Sequence, residues 1–353
     1  MFAKNTLASA VAAAIGVSAV GVAQADSVFF PYAAISQTVT TIASVINTTA
    51  NNWDQAGNIA TTHLHYRFYY KSGPAVNDLL APCEEYNEYL PTSQYDIQTI
   101  DLGGIFAAET AGVMFNDPSI NNKWAQTGRD YAFGRNVAPA RGYLYVDNSD
   151  GTVTDTLAGE AFMFEFGSGA AWGYQAYNSD TASYIPAASE SPSNVAIMPF
   201  DEITTAFFVT PVDGDQAPDF ANNYRARVEF VTSARGDLYD RDENLISGTI
   251  PQDVVCVGRV EAADMLSDGT RARVVDGGWA RLWNYRVVPN ATATSWVPAE
   301  FAADNSAVIS PSADRNDWDD GAVVIKLEYN LGGTLNGESV GGVFNNSIMF
   351  APE

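Results

Sequence analysis

Short runs in which apolar and polar residues alternate with a period of two are the feature that most limits what this chain can fold into. In "THLHYRFYY", Leu64, Tyr66, Phe68 and Tyr70 fall on one face of an extended backbone, with His63, His65 and Arg67 on the other. "GEAFMFEF" sets Phe162, Phe164 and Phe166 together, and "YRARVEFVT" sets Tyr224, Ala226, Val228 and Phe230 against Arg225, Arg227 and Glu229. "AVVIKLEYNL" sets Val323, Ile325, Leu327 and Tyr329 against Lys326, Glu328 and Asn330. Side chains of a strand point alternately to its two faces, so these runs read as antiparallel strands with one wet face. Clusters such as "DNSDGT", "SESPSN" and "GGTLNGE" separate them and carry the residues that turns require. Helix candidates are confined to residues 201–206 and 261–267. The fold class is all-β, of antiparallel β-sandwich type.

The first 25 residues read as a signal peptide. Lys4 is followed by the apolar "LASAVAAAIGVSAVGV", and Ala23-Gln24-Ala25 fits the small-x-small cleavage rule. The Ser and Gly interruptions argue against a permanent membrane helix, and no later window approaches the length of a span. A chain of 353 residues is long enough for one large β domain or for two sandwiches, each with its own core. Two packed units are expected, residues 26–190 and 191–353, with "PAASESPSN" as the linker and one large sandwich as the alternative. Cys83 and Cys256 are an even pair in an exported chain, the setting that favours a disulfide over two free thiols.

Charge excludes some partners. The net charge is −24, and lysine occurs only at Lys4, Lys71, Lys123 and Lys326. Such a surface repels nucleic acid and anionic head groups, and it suits saline surroundings, where screening acts within roughly 8 Å. The sharpest cluster is "YDRDENLISG". Asp240, Asp242 and Asn244 have the alternate spacing of a calcium loop, with Asp237 or Glu243 as further oxygen donors. No glycine at the turn position and no closing glutamate follow, so a polar hairpin turn is the competing reading. "ADRNDWDDG", with Asp314, Asp317, Asp319 and Asp320, is a weaker cluster of the same kind. His63 and His65 share a strand face but lack a third ligand in sequence. Trp279, Trp283 and Tyr285 share a face with Arg281, which suits either a platform for sugar rings or a sandwich core. The chain lacks GxSxG, HExxH, P-loop and GxGxxG signatures. A glycosidase needs only two facing carboxylates, yet Glu160 and Glu165 on one strand have opposite parity.

In "ADSVFFPYAAIS", Val28, Phe30 and Tyr32 alternate with Ser27, Phe29 and Pro31, so both faces carry apolar side chains. A strand apolar on both faces belongs inside a sheet, and Pro31 predicts an end or a bulge. Val28, Phe29, Phe30 and Tyr32 are thus an assembly strand, pairing within the chain or with a neighbouring copy.

The segments "FFPYAAISQTVTTIASVIN", "HYRFYYKS", "DLGGIFAAETAGVMF", "GEAFMFEFGSGAAWGYQAYN", "YDRDENLISGTIPQDVVCVG" and "KLEYNLGGTLNGESVGGVFNNSI" resemble a group of secreted all-β proteins of environmental Gram-negative bacteria. The resemblance implies one exported unit, with no catalytic residues to carry over. The expected function is that of a secreted or cell-surface structural protein without catalysis, self-assembling through its N-terminal strand or joined to other surface components. A glycan- or calcium-binding module is the alternative, a glycoside hydrolase the next, and the periplasm an alternative location.

Overall fold

The structure, a computed structural model, describes residues 27–48, 63–92, 95–106, 137–148, 157–166, 170–178, 193–200, 203–212, 225–230, 238–289, 296–298, 321–330, 334–335, 338–339 and 348–349. The expected signal peptide, Asp237 and the 314–320 acidic cluster lie outside these residues.

The first sandwich comprises β1 (Ser27–Ile35), β2 (Val39–Asn47), β3 (His63–Ser72), β4 (Glu84–Pro91), β5 (Ile97–Asp101), the short helix α1 (Leu102–Phe106), β6 (Ala140–Asn148), β7 (Leu157–Glu165), β8 (Ala170–Gln175) and β9 (Tyr177–Asn178). One sheet runs β4-β3-β6-β1-β9 and the other β5-β2-β7-β8, antiparallel throughout. The second sandwich comprises β10 (Ser193–Ile197), β11 (Thr204–Val212), β12 (Arg225–Phe230), β13 (Leu238–Asp240), β14 (Gln252–Val254), β15 (Gly258–Glu261), α2 (Asp268–Arg273), β16 (Gly278–Pro289), β17 (Trp296–Pro298), β18 (Gly321–Tyr329), the small pair β19 (Thr334–Leu335) and β20 (Glu338–Ser339), and β21 (Ile348–Met349). Its sheets run β10-β16-β12-β14, with β13 and β17 also on β16, and β15-β11-β18-β21. The protein is all-β and sandwich-like.

Alternation does its expected work in β3, where Leu64, Tyr66, Phe68 and Tyr70 are fully buried and Arg67 pairs with Asp147 on the other face. In β12, Ala226, Val228 and Phe230 enter the core while Arg227 makes a two-point contact with Asp253 at 2.6 and 3.0 Å.

Three expectations change. The phenylalanine face of β7 is the half-exposed one, and Phe166 is 41% exposed. Gly159, Ala161 and Met163 point inward because the Phe30 ring occupies the space over Gly159. The polar face of β18 is not wet: Lys326, Glu328 and Asn330 are buried, and the first two form an ion pair. The reason is that the β11–β18 sheet is covered on both sides. Phe207, Val209, Ala322 and Val324 pack into the second core, while Phe208, Val212, Val323, Ile325 and Leu327 join the core of the first sandwich. Residues 204–206, read as helical, begin β11 and pair with β18. The 261–267 candidate is a 3₁₀ turn, Ala262–Met265, followed by α2.

Pro31 produces the bulge it predicts. Phe30 stands opposite Leu144 and Ala33 opposite Gly142, so β1 carries one extra residue between them. A Cβ on Gly142 would lie 2.1 Å from the Tyr69 carbonyl oxygen, so only glycine fits across from the bulge. β9 pairs with β1 only at Val28 and Phe29. Beyond it, side-chain hydroxyls serve the backbone of β1. Tyr174 Oη accepts from the Tyr32 N–H at 3.2 Å and donates to the Tyr32 carbonyl. Thr41 Oγ1 accepts from the Ala34 N–H and donates to the Ala34 carbonyl, both at 2.9 Å. Each hydroxyl satisfies both polar groups of one residue, as a neighbouring strand would.

Cys83 and Cys256 are disulfide-bonded, with Cα atoms 5.9 Å apart, and the bond ties the first sandwich to the second. Cys256 sits at φ +61°, at the centre of a tight turn in which the Val257 N–H donates to the Val255 carbonyl at 2.7 Å. The Val255 N–H donates to the Leu79 carbonyl at 2.9 Å, a second link across the same junction. Such a bridge forms and persists in oxidising compartments. Among the described residues, no helix is long and apolar enough to cross a membrane.

Candidate functional site

Where the two sandwiches meet, the structure leaves a cavity of about 420 Å³. Its walls come from β1, β2, β6, β7 and β8 on one side and β11, β15 and β18 on the other, with the 3₁₀ turn Gly73–Asn77 at one end. The bulge builds its centre. Pro31 and Tyr32 share one position of the ladder, and the Pro31 carbonyl accepts a hydrogen bond from Thr210 Oγ1 of β11 at 2.5 Å. Tyr32 is thereby held against Phe208, ring on ring at 3.9 Å and 10°. Trp172 of β8 completes the stack, 5.7 Å and 15° from Phe208 and 6.4 Å and 24° from Tyr32.

Polar groups gather at one side of these rings. Arg141 Nε donates to Tyr32 Oη at 2.9 Å and its Nη1 to the Val76 carbonyl at 2.7 Å. Arg259 pairs with Glu261 at 2.7 Å and lies over the Tyr329 ring. Glu165, at the end of β7, also lines the cavity. Behind Arg141 lies Lys71, 1% exposed, whose Nζ donates to the carbonyls of Asp78 and Leu79 at 2.8 and 3.1 Å. Burial lowers the Lys71 pKa to about 7; Asp78 opposes that shift and Arg141 adds to it.

No protein-family model matches the chain, and no curated protein matches it.

The residues singled out in sequence lie elsewhere, apart from Tyr32 and Glu165. Asp240 closes a turn on itself: its carboxylate accepts from the Asn244 N–H at 2.8 Å, from Asn244 Nδ2 at 3.1 Å and from the Asp242 N–H at 3.0 Å. These bonds hold its pKa below the usual carboxylate range. Among the described residues, no three His, Cys, Asp or Glu side chains cluster as a metal site. Trp279 is 38% exposed and stacks on Tyr239 at 4.3 Å, beside an open depression it shares with Val195, Ala196 and Arg281. Trp283 and Tyr285 follow on β16 opposite Glu229 and Arg227; their side chains lie outside what the structure describes. His65 stacks on Tyr89 at 4.3 Å with Nδ1 3.7 Å from Asp147, and burial lowers its pKa. The His63 side chain is likewise outside the description. Glu160 is exposed, whereas Glu165 is drawn into the cavity wall.

Sequence reasoning missed Arg141, Trp172, Phe208 and Arg259. Each sits in an ordinary strand pattern, and no local signal relates segments so far apart. The one usable hint was Pro31, because a bulge re-aims the residue after it.

Proposed function

We propose that the chain is an exported structural protein of the cell surface or surrounding medium, a member of the group its segments resemble, whose first strand serves assembly between copies. The observation that carries the reading is the position of β1. It starts at Ser27, just after the expected cleavage site, and every residue except Ala34 is buried, in a sheet where β1 lies between β6 and the two-residue edge strand β9. The sheet is incomplete without its most N-terminal strand, so the same pairing with β6 is available to a β1 from a neighbouring copy. Tyr174 and Thr41 close the free edge of β1, so assembly proceeds by exchange of the whole strand rather than by addition at that edge. The corner at residues 36–38, where the Ser36 N–H bonds the Val39 carbonyl, is the hinge that would extend.

The test is negative-stain electron microscopy and sedimentation of the chain from Asp26, in saline buffer with and without calcium. Filaments or sheets that disappear on deleting residues 26–32 support the reading. Uniform single particles under both conditions refute assembly. The cavity between the sandwiches favours a second reading, a binding protein, since its volume lies within the range of about 300–1,000 Å³ usual for small-molecule sites.

A further inference from the structure

We propose that the cavity between the two sandwiches binds a small, flat, apolar molecule carrying one anionic group, an aromatic carboxylate being the simplest example. Its shape and lining account for the flat, apolar part. The rings of Tyr32, Phe208 and Trp172 lie within 24° of parallel, and all three line the cavity. The three rings stack on one another, so a planar occupant would extend that stack, where offset stacking adds to simple burial.

The anionic group follows from the charges. Arg141 is half-buried in the cavity wall, and both of its hydrogen bonds go to neutral oxygens, Tyr32 Oη and the Val76 carbonyl. A guanidinium has five N–H donors; these two bonds use Nε and Nη1 and leave the Nη2 amino group. Among the described residues no carboxylate pairs with Arg141. In a chain of net charge −24, a half-buried arginine without an acidic partner is an exception that needs a reason. Lys71 lies near Arg141 and is likewise bonded to carbonyls rather than to a carboxylate. Arg259, the other arginine of the wall, is already neutralised by Glu261. Glu165 also lines the cavity. A ligand carboxylate on Arg141 would supply the missing counter-charge through charge-assisted bonds.

The test is isothermal titration of the full exported chain with 2-naphthoate and with its neutral isostere 2-naphthamide. One naphthoate is expected per chain, bound about tenfold more tightly than the amide, the size of effect one charge-assisted hydrogen bond brings. Arg141→Gln is expected to remove the preference for the acid while the amide still binds. Trp172→Ala is expected to weaken both ligands about tenfold through the lost stacking and area. Because Arg141 also holds Tyr32, each variant's melting curve is read first. Absence of binding by either ligand, equal binding of acid and amide to the unaltered chain, or a preference that survives Arg141→Gln would each overturn the proposal.

Discussion

Replacing Cys83 and Cys256 together by serine tests whether the two sandwiches form one cooperative body. The bond closes a loop with a sequence separation of 173. In the chain-entropy model, opening a loop of that length returns about 17 cal/mol/K to the unfolded chain, or about 5 kcal/mol at 25 °C. The folded junction keeps its other ties: the Val255 N–H on the Leu79 carbonyl and the core residues that β11 and β18 place in the first sandwich. The loss is therefore expected in the unfolded state, with the folded structure retained. Urea unfolding followed by tryptophan fluorescence and by far-ultraviolet circular dichroism reads it directly. With a slope of about 3 kcal/mol/M for a chain of this size, the midpoint falls by about 1.7 M, and both probes move together. Two separate transitions in the oxidised protein would refute the reasoning, because a loop that spans independently unfolding units does not stabilise either one by this amount. A loss below about 1 kcal/mol would refute it as well.

Other outcomes follow from single side chains. Lys326→Met leaves Glu328 buried without its partner and is expected to cost about 3 kcal/mol in urea unfolding, with Lys326→Met/Glu328→Met recovering most of it. Tyr174→Phe removes the one hydroxyl that serves both polar groups of Tyr32 and is expected to cost about 2 kcal/mol by the same assay. Lys71 titrates at about 7 when folded, against 10.5 for a free lysine, so the unfolded chain binds more protons between pH 7 and pH 10. Stability is expected to rise with pH across that window and to lose the Lys71 contribution as pH falls to 7. Lys71→Met flattens the slope, and a flat profile in the unaltered chain refutes it.

Much of the fold was legible because strand patterning is a local property. The alternation in β3 and β12 predicts strand and core residues together, and Leu64, Tyr66, Phe68, Tyr70, Ala226, Val228 and Phe230 are buried as read, whereas Glu229, read on the wet face, is buried too. Pro31 announced its bulge for a similarly local reason, the missing N–H. β18 shows where such reading stops. "AVVIKLEYNL" looks like a strand with one wet face, yet both faces are buried, because a second sandwich covers the side that carries Lys326 and Glu328 and the first sandwich covers the other. Local pattern reports how polar a face is; it does not report what lies against it.

The candidate site was illegible for the same reason. Tyr32, Arg141, Trp172 and Phe208 come from four strands, and their meeting depends on the bulge in β1 and on how one sandwich is docked against the other. By itself the sequence determined the all-β class, the cysteine pair and the both-sided burial of the first strand, since each is set by residue type and spacing along the chain. Only the tertiary structure decided which sheet became the shared layer, which charges were buried as a pair, and where an arginine would stand beside three rings without an acidic partner. Those outcomes depend on contacts between segments far apart in the chain, and spacing carries no record of them.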